Sequence, residues 1–593
     1  MPEYLAPGVY VEETSFRAKS IEGVGTSTTA FVGPTRTGPV SGGEEAPERP
    51  ELLTSFGDFE RIYGGLADLE LLGVPVPNYI AHAALAYFNE GGSRLYVART
   101  VVLEEAEDDG GATFASVAVL ADADEAEAVS INARFPGSAG NGRVTVIEMV
   151  APASERTMTT APEGTLLRTG AEEAPVHHLK VGDEWLPADD LEAAAADVAT
   201  LVAATPRIVT LLVIARDADG TEMSWEDLGL DRSHPRGVMH VLAAVPNRRA
   251  DHLQNAFAIA VGGDVGAIGL HGALFNGATA NAQGQQERSW PLTGGSDGAA
   301  PTAPAYANAL WEVANLEDVA SVAAPGSSAY GDEEDARGIM NALIAHAEAR
   351  RAYRIAVLDT PPGQIPGDVR ELRGQLDSRY AAMYYPWVVA PNPNARPGRE
   401  DIPREIPLPP SGYVTGIFAR NDVQRGVHKA PANEVVRSAI RFEVDVNFAQ
   451  QELLNPLGVN CLRLLPGRGY RVWGARLISS DPEWKYVSDR RYFNYLEASI
   501  DRGTQWAVFE PNGERLWANV RQTISDFLYN EWRNGALRGT TVEEAFFVRC
   551  DRSTMTQNDL DNGRLVCLIG VAIIKPAEFV IFRIGQKTAD ARA

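Results

Sequence analysis

A GxSxG pattern, which in many hydrolases places a nucleophilic serine at a sharp strand-to-helix turn, occurs at Gly294 to Gly298 with Ser296 at its centre. The preceding residues, ERSWPLT, do not read as an apolar strand, and the following AAPTAPA contains two prolines that oppose a helix. The context therefore predicts a loop and not a nucleophile.

Other residues suited to chemistry also lack the required spacing. The six lysines never occur in the GxxxxGK context of a phosphate-binding loop, and Gly467 and Gly469 predict a turn because a third spaced glycine is missing. The adjacent His177 and His178 would point to opposite faces of a strand, which prevents them from chelating one metal together. The acidic run Asp332 to Asp335 is typical of a solvated helix start. We therefore expect no enzyme activity, no metal site and no cofactor.

The cysteines and the hydrophobic runs indicate in which cell compartment the protein is made. Cys461, Cys550 and Cys567 cannot all pair with one another, and no two of them have CxxC spacing, so we expect reduced thiols. The opening MPEYLAPGVYVEE lacks the basic and apolar regions of a signal peptide, and the apolar run from 565 to 574 is too short to span a membrane. These features predict synthesis in the cytoplasm and no direct membrane insertion.

Size and charge restrict the class of protein. The chain has 593 residues, of which 45% are hydrophobic and 22% charged, as in a soluble globular protein of several domains. Its formal charge of -26 argues against binding to nucleic acid or to an anionic membrane. Residues 101–235 hold 26 acidic and 8 basic side chains, whereas residues 411–593 hold 21 acidic and 24 basic ones. We expect the acidic segment to face solvent and the slightly basic one to face partners.

Apolar spacing predicts an α/β core that is split by an insertion. A helix is predicted over Tyr79 to Glu90, ended by Gly91, and a strand over Arg94 to Arg99. Several strand-like stretches follow between residues 101 and 235, after which the α/β pattern resumes. We therefore assign residues 24–100 and 236–385 to a split α/β core domain and residues 101–235 to a β-rich acidic outer insertion.

The rest of the chain divides at a proline-rich segment. Eight of the 25 residues from 386 to 410 are proline, which predicts an extended linker. Residues 411–577 then read as a C-terminal α/β domain with one strongly amphipathic helix over Glu514 to Asn534. The predicted fold class is thus a mixed α/β multidomain protein.

The segments at the two ends of the sequence both predict strands. Gly8 to Glu12 alternates as a strand does, and Glu578 to Ile584 is an almost continuous apolar run. The two segments could pair with each other inside one domain, or each could add to a sheet edge of a neighbouring subunit.

Nine segments of the chain resemble the contractile tail sheath family of phages, R-type pyocins and contractile injection systems. They are LAPGVYVEE (5–13), AYFNEGGSRLYVART (86–100), FPGSAGNGRVTV (135–146), LTGGSDG (292–298), PPSGYVTGIFARNDVQRGVHKAPAN (409–433), LNPLGVNCLRLLPGRGYRVWGARL (454–477), WAVFEPNGERLW (506–517), GTTVEEAFFVRCD (539–551) and KPAEFVIFRIG (575–585). The region from about 150 to 235 contributes nothing to this likeness.

The resemblance implies a structural polymer that generates force. Family members stack as hexameric rings around an inner tube protein, in an assembled particle that also holds baseplate and terminal cap proteins. The rings contract from a metastable extended state and drive the tube through a target envelope without hydrolysing nucleotide.

The resemblance also implies that terminal arms link neighbouring subunits and complete the sheet of the C-terminal domain. The N-terminal arm is residues 1–23, with Val9, Tyr10 and Val11 in its strand. The C-terminal arm is residues 578–593, and its strand residues are Phe579, Val580, Ile581, Phe582 and Ile584.

Three arginines of the amphipathic helix are candidates for contact with the inner tube. Arg515, Arg521 and Arg533 lie among polar neighbours, although each could instead pair with Glu514, Asp526 or Glu531 on the same helix. Two other functions stay open on the residues alone, an α/β enzyme with an unrecognised site and another phage-like structural component such as a baseplate protein.

Overall fold

The computed structural model describes residues 20–42, 47–103, 110–120, 128–171 and 174–582. The first part of the chain contains five strands and two helices. They are β1 (Thr29–Gly33), β2 (Glu51–Leu53), α1 (Phe56–Tyr63), β3 (Leu69–Leu71), β4 (Val74–Val76), α2 (Tyr79–Glu90) and β5 (Leu95–Arg99). The predicted helix over 79–90 and the strand that follows it are confirmed, and Gly91 ends the helix in the left-handed conformation.

The middle part of the chain is mostly β-structure with short helices. Its elements are β6 (Ser116–Leu120), β7 (Val129–Ala133), β8 (Arg143–Pro152), α3 (Glu155–Thr160), β9 (Leu166–Ala171), β10 (Ala174–Val181), β11 (Glu184–Pro187), α4 (Val198–Ala203), β12 (Arg207–Arg216), β13 (Glu222–Leu228), α5 (Val238–Val241), α6 (Arg249–Gln254), β14 (Phe257–Val261), α7 (Ala267–Leu274), β15 (Thr279–Ala280) and β16 (Gln286–Pro291).

The last part of the chain contains the longest helices. Its elements are α8 (Ala303–Ala314), β17 (Ser321–Ala323), α9 (Glu333–Glu348), β18 (Ile355–Asp359), α10 (Pro366–Gly374), β19 (Ala381–Tyr385), β20 (Val388–Pro391), β21 (Glu405–Leu408), α11 (Pro410–Arg425), β22 (Glu434–Val435), β23 (Arg441–Phe442), α12 (Phe448–Leu454), β24 (Val459–Leu465), β25 (Gly469–Val472), α13 (Val487–Gly503), α14 (Glu514–Arg533), α15 (Val542–Ala545), β26 (Phe546–Arg549), α16 (Gln557–Asp561) and β27 (Leu568–Val571).

A nine-stranded sheet forms the centre of the molecule, in the order β2-β5-β1-β17-β18-β19-β24-β25-β22. The strands from β5 to β24 run parallel, and their apolar residues are buried on both faces. Helices α2 and α11 pack together over one face, while α8 and α9 pack over the other. This arrangement confirms the predicted α/β core.

The carboxyl end of β18 carries a buried carboxylate. Asp359 accepts hydrogen bonds from the backbone N–H and the hydroxyl of Ser411, at 2.7 and 2.5 Å, and thereby caps the start of α11. Burial raises the pKa of Asp359 to about 7, against the two hydrogen bonds, which lower it. The carboxylate therefore serves helix capping.

The proline-rich segment does not separate two sheets. Strands β24 and β25 follow it in sequence but complete the same sheet as β19, whereas the linker expected at 386–410 would have placed them in another domain. The segment itself includes β20 and β21, which pair with each other. Pro407 is tolerated because β21 is an edge strand of a small three-stranded sheet.

The inserted β-structure is larger than expected. An eight-stranded antiparallel sheet contains β8 paired with both β12 and β16, and a three-stranded sheet has the order β14-β7-β6. Because β14 and β16 pair with strands of the insertion, the inserted unit reaches Pro291 and not Pro235. The α/β pattern expected to resume at Gly237 resumes at α8.

A third body is formed by α13, α14 and the antiparallel strands β26 and β27, which share one apolar core. The predicted amphipathic helix is confirmed as α14, and its buried side chains are Leu516, Trp517, Val520, Thr523, Ile524, Phe527 and Leu528. Within the part of the chain that the structure describes, no helix is both long and apolar enough to cross a membrane.

Candidate functional site

The GxSxG pattern does not form a nucleophile site. The hydroxyl of Ser296 accepts a hydrogen bond from the backbone N–H of Gly298 at 3.1 Å and contacts no side-chain base among the described residues. Contrary to expectation, a strand (β16) precedes the pattern and a helix (α8) follows it. The helix tolerates Pro304 because this proline lies in the first helical turn, where its missing N–H is not needed. Four residues separate Ser296 from β16 and six separate it from α8, so no sharp strand-to-helix turn exposes its hydroxyl.

The other candidates for chemistry have structural roles. Gly467 and Gly469 form the turn between β24 and β25 with positive φ angles of 72° and 79°, as predicted. His177 lies against the ring of His271, whereas His178 lies near the hydroxyl of Thr169. The carboxylate of Asp332 caps α9, which confirms the predicted helix start. No group of three or more potential metal ligands occurs among residues that the structure describes.

The segment after β27 is the most unusual surface of the molecule. Ala572 accepts a hydrogen bond from the backbone N–H of Arg538 at 2.7 Å, and the chain then continues without helix or strand to residue 582. Four consecutive large apolar side chains at its end are mostly exposed, with exposed fractions of 70, 68, 79 and 82% for Phe579, Val580, Ile581 and Phe582. A run of this kind marks an interaction surface.

Glu578 fixes the start of this exposed run to the body of the molecule. Its carboxylate accepts two hydrogen bonds of 2.6 Å from the guanidinium of Arg476, and others from Asn455 and the hydroxyl of Tyr486, both at 3.0 Å. The ammonium of Lys485 lies 3.4 Å away. We call these five residues the Glu578 anchor.

Electrostatics at the Glu578 anchor favour the ionised carboxylate. Partial burial alone would raise the pKa of Glu578, but the hydrogen bonds from Arg476 and Asn455 and the charge of Arg476 lower it to about 2. The anchor is therefore fully formed at neutral pH.

The segment that follows the N-terminal arm is also anchored. Ile21 is buried in the core shared by α13 and α14, and the backbone N–H of Val24 donates to the hydroxyl of Ser499 at 3.1 Å. The hydroxyl of Thr26 donates to Asp422 at 2.6 Å, within the buried ion pair between Asp422 and Arg491. Residues 21–26 thus lie firmly against α13. Val9, Tyr10 and Val11, like Ile584 of the C-terminal arm, lie outside the described residues.

The strand pair β26 and β27 offers open backbone edges. It forms a two-stranded antiparallel sheet, and among the described residues no third strand joins it. An isolated two-stranded sheet is only marginally stable, and its free edges can accept further strands.

The three candidate arginines of α14 all face solvent. Arg515, Arg521 and Arg533 are exposed, and none of their guanidiniums forms an ion pair or hydrogen bond with a described residue. The alternative pairing along the helix does not occur, because Asp526 accepts from Gln522 and Glu531 accepts from two tyrosines. Their contact with a tube stays a prediction.

Two of these surfaces could not be found from the sequence. The Glu578 anchor joins side chains about a hundred residues apart, and the contacts of residues 21–26 join residues 396 to 475 positions apart. The apolar run at 579–582, unlike the two anchors, is recognisable in the sequence.

Comparison with known proteins identifies two domains of the chain. Residues 299–476 match the family model of the phage tail sheath protein central domain, and residues 479–587 match that of the phage tail sheath C-terminal domain. A Pseudomonas aeruginosa protein described as a prophage major tail sheath protein is 26% identical over 267 residues, which cover 44% of this chain and 63% of that relative. The chain thus aligns with less than two thirds of the relative's length.

Two solved structures share the fold along nearly the whole chain. The sheath complex of the PVC extracellular contractile injection system, in the contracted state, has a TM-score of 0.52 and 18% identity over 99% of each chain. The contracted helical sheath of the anti-feeding prophage has a TM-score of 0.51 and 21% identity over 98% of this chain and 100% of that one. The two solved structures show a shared fold, and the two family domains with the Pseudomonas aeruginosa relative show that the chain belongs to the phage tail sheath family.

Proposed function

We propose that this chain is the polymerising subunit of a contractile sheath, built as helically stacked hexameric rings around an inner tube. The sheath contracts from a metastable extended state and drives the tube through a target envelope, with no nucleotide hydrolysed in that step. The observation that carries the proposal is the exposed apolar run Phe579 to Phe582 beyond the Glu578 anchor, in a chain that also contains a two-stranded sheet which no third strand joins among the described residues.

The exposed run is suited to pairing with a neighbouring subunit. Full burial of a large apolar side chain contributes about 1.5 to 3 kcal/mol, so four of them would stabilise an intersubunit contact strongly. The Glu578 anchor keeps the arm's starting point fixed, which reduces the conformational entropy lost when the arm is captured. We expect the arm to add to the β26 and β27 sheet of a neighbour, where backbone hydrogen bonds supply affinity.

The N-terminal arm is proposed to join the same intersubunit sheet. Val9, Tyr10 and Val11, which the sequence predicts to form a strand, are followed by residues 21–26, which lie against α13. Two arms from different neighbours would thereby link subunits within and between rings, and the links would persist while the rest of each subunit rotates.

The exposed arginines of α14 are proposed to contact the inner tube. A charge reversal at Arg521 together with Arg533 is expected to release the tube from the sheath without unfolding the subunit. A reversal at Arg350, which is exposed on the central domain, is the matched control and should retain the tube. Tube retained by the double variant at physiological salt would reject this contact.

Truncation tests the proposal directly. We expect chains that lack residues 1–20, or that end after Glu578, to fold cooperatively but to remain monomeric or form short unlinked rings. Ending the chain after Glu578 preserves the anchor, whereas ending it after Ala577 removes the anchor as well. Proline at Val580 should imitate truncation because it removes a backbone donor, and Val580→Ile should assemble normally. Sedimentation and thermal melting of each variant give the result, and long sheaths built by the truncated chains would refute the proposal.

A further inference from the structure

Two of the three cysteines lie opposite each other at one end of the β26 and β27 pair. Arg549 pairs with Leu568 in the last position of the ladder, and Cys550 and Cys567 occupy the next position in the same register. Both cysteines are reduced in the structure. The third, Cys461, is fully buried in the central sheet and far from them in the fold.

The hydrogen-bond pattern of the ladder places the two cysteines at a site that is favourable for a disulfide. The backbone N–H of Ala572 donates to Ala545 at 2.8 Å, one position before the first strand pair. Hydrogen-bonded and non-hydrogen-bonded pairs alternate in an antiparallel ladder, so Cys550 and Cys567 fall at a non-hydrogen-bonded site. The Cα atoms of such a pair are about 4.5 Å apart, within the range that a disulfide spans.

The thiols also point to the same face. Alternation along β26 directs Phe546, Val548 and Cys550 toward the apolar core that Cys567 also joins. A hydrogen bond between the two thiols lowers the pKa of Cys550 and raises the pKa of Cys567. Burial raises the pKa of both thiols, to about 12 for Cys567, so the pair reacts slowly at neutral pH.

We propose that Cys550 and Cys567 form an intrachain disulfide when the chain meets a disulfide oxidant such as oxidised glutathione. The half-exposed Cys567 attacks the oxidant as its thiolate and forms a mixed disulfide, with one glutathione leaving as a thiol. The thiolate of Cys550 then attacks the Cys567 sulfur and displaces the second glutathione. Two protein thiols become one disulfide, and the two electrons reduce one oxidised glutathione to two thiols.

The disulfide would close the segment from Asp551 to Val566, which carries α16, and would lock the end of the two-stranded sheet. Cross-linking restricts the unfolded chain and so stabilises the folded one. The inference does not depend on polymerisation, because it concerns contacts inside one chain.

The experiment uses the full-length chain, equilibrated with oxidised glutathione, alkylated and mapped by peptide mass. We expect the free thiols to fall from three to one, a cross-linked peptide that joins residues 550 and 567, and a melting temperature about 5 °C above that of the reduced chain. Cys461→Ser should behave like the parent chain, and Cys550→Ser and Cys567→Ser should show no rise on oxidation.

Three free thiols after equilibration, or a cross-link that joins two chains or involves Cys461, would overturn the assignment. If either serine variant fails to fold, the peptide map of the unmodified sequence still decides between these outcomes.

Discussion

Neutralising Glu578 is expected to free the C-terminal arm while leaving the rest of the fold intact. The substitution Glu578→Gln keeps the size of the side chain and one amide oxygen, but it removes the charge that Arg476 and Lys485 face. The arm should then spend more time detached from the body, because the neutral amide cannot replace a bidentate charge-assisted pair.

The expected magnitude follows from the pKa of Glu578. A fall of the pKa from 4.5 to about 2 corresponds to about 3.4 kcal/mol of preference for the ionised form, since a shift of one pKa unit is about 1.4 kcal/mol. The Glu578 side chain is 20% exposed, and solvent screening reduces the figure to about 2 kcal/mol. Detachment should therefore become about 30-fold more frequent.

The lowered pKa of Glu578 also determines how the stability of the anchor changes with pH. The folded-state pKa of Glu578 lies below its ordinary value, so the anchor contributes its full stability above about pH 4.5. That contribution is lost as the pH falls toward about 2. At neutral pH only the substitution, and not a small change of pH, should detach the arm.

Limited proteolysis measures the detachment. Chymotrypsin cleaves after Phe579, and the stretch of chain that it must bind around this bond includes Glu578, so the cleavage rate at Phe579 reports the detached population. We expect cleavage of Glu578→Gln to be about 30-fold faster than that of the parent chain, with the melting temperature of the body unchanged. Glu543→Gln, at an exposed glutamate of α15 without a side-chain partner among the described residues, is the matched control. Equal cleavage rates for all three chains would refute the role of the anchor, and a lower melting temperature for Glu578→Gln would show that it stabilises the body instead.

Three further changes test the body of the molecule. Burial raises the pKa of Asp359 to about 7, so stability should fall as the pH rises from about 4 to 7, and Asp359→Asn should abolish that slope in thermal melts at about pH 5 and about pH 8. Arg36→Met should destabilise the junction between the central sheet and the insertion by about 3 to 5 kcal/mol in denaturant unfolding, because it leaves the buried Asp297 without the opposite charge of its ion-pair partner, whereas breaking the exposed pair of Arg216 should cost less than about 1 kcal/mol. Replacing residues 101–298 with a Gly/Ser linker should leave a folded chain that still forms rings in electron micrographs, if the insertion faces outward as expected.

The elements that the sequence predicted are those with strong local patterns. Helix α2 and its end at Gly91 follow from apolar spacing and a glycine, and α14 follows from a wide apolar stripe. The boundary at residue 235 was wrong because β14 has the same apolar character as strands of the central sheet, and because β16 is too polar to be recognised as a strand. Which sheet a strand joins depends on long-range pairing that no local pattern records.

The same limit applies to the functional surfaces. Nothing in the residues around Glu578 indicates that Arg476, about a hundred positions earlier, reaches it. The buried contacts of Thr26 with Asp422 and Arg491 join residues about four hundred positions apart. Residues of this kind are found only when the chain is folded, since each is an ordinary polar residue in its local context.

Helix α13 connects the anchors of both arms. Val24 and Thr26 contact Ser499 and Arg491 on the helix, while the Glu578 anchor includes Tyr486, the residue that caps its start. The helix has 17 residues and is therefore about 25 Å long, and its hydrogen-bonded backbone resists extension. A pull on one arm would thus reach the other through a single rigid element and not through the flexible loops of the body. Subunits joined in this way would keep their connections while their outer parts change neighbours, which is the mechanical property that a contracting sheath requires.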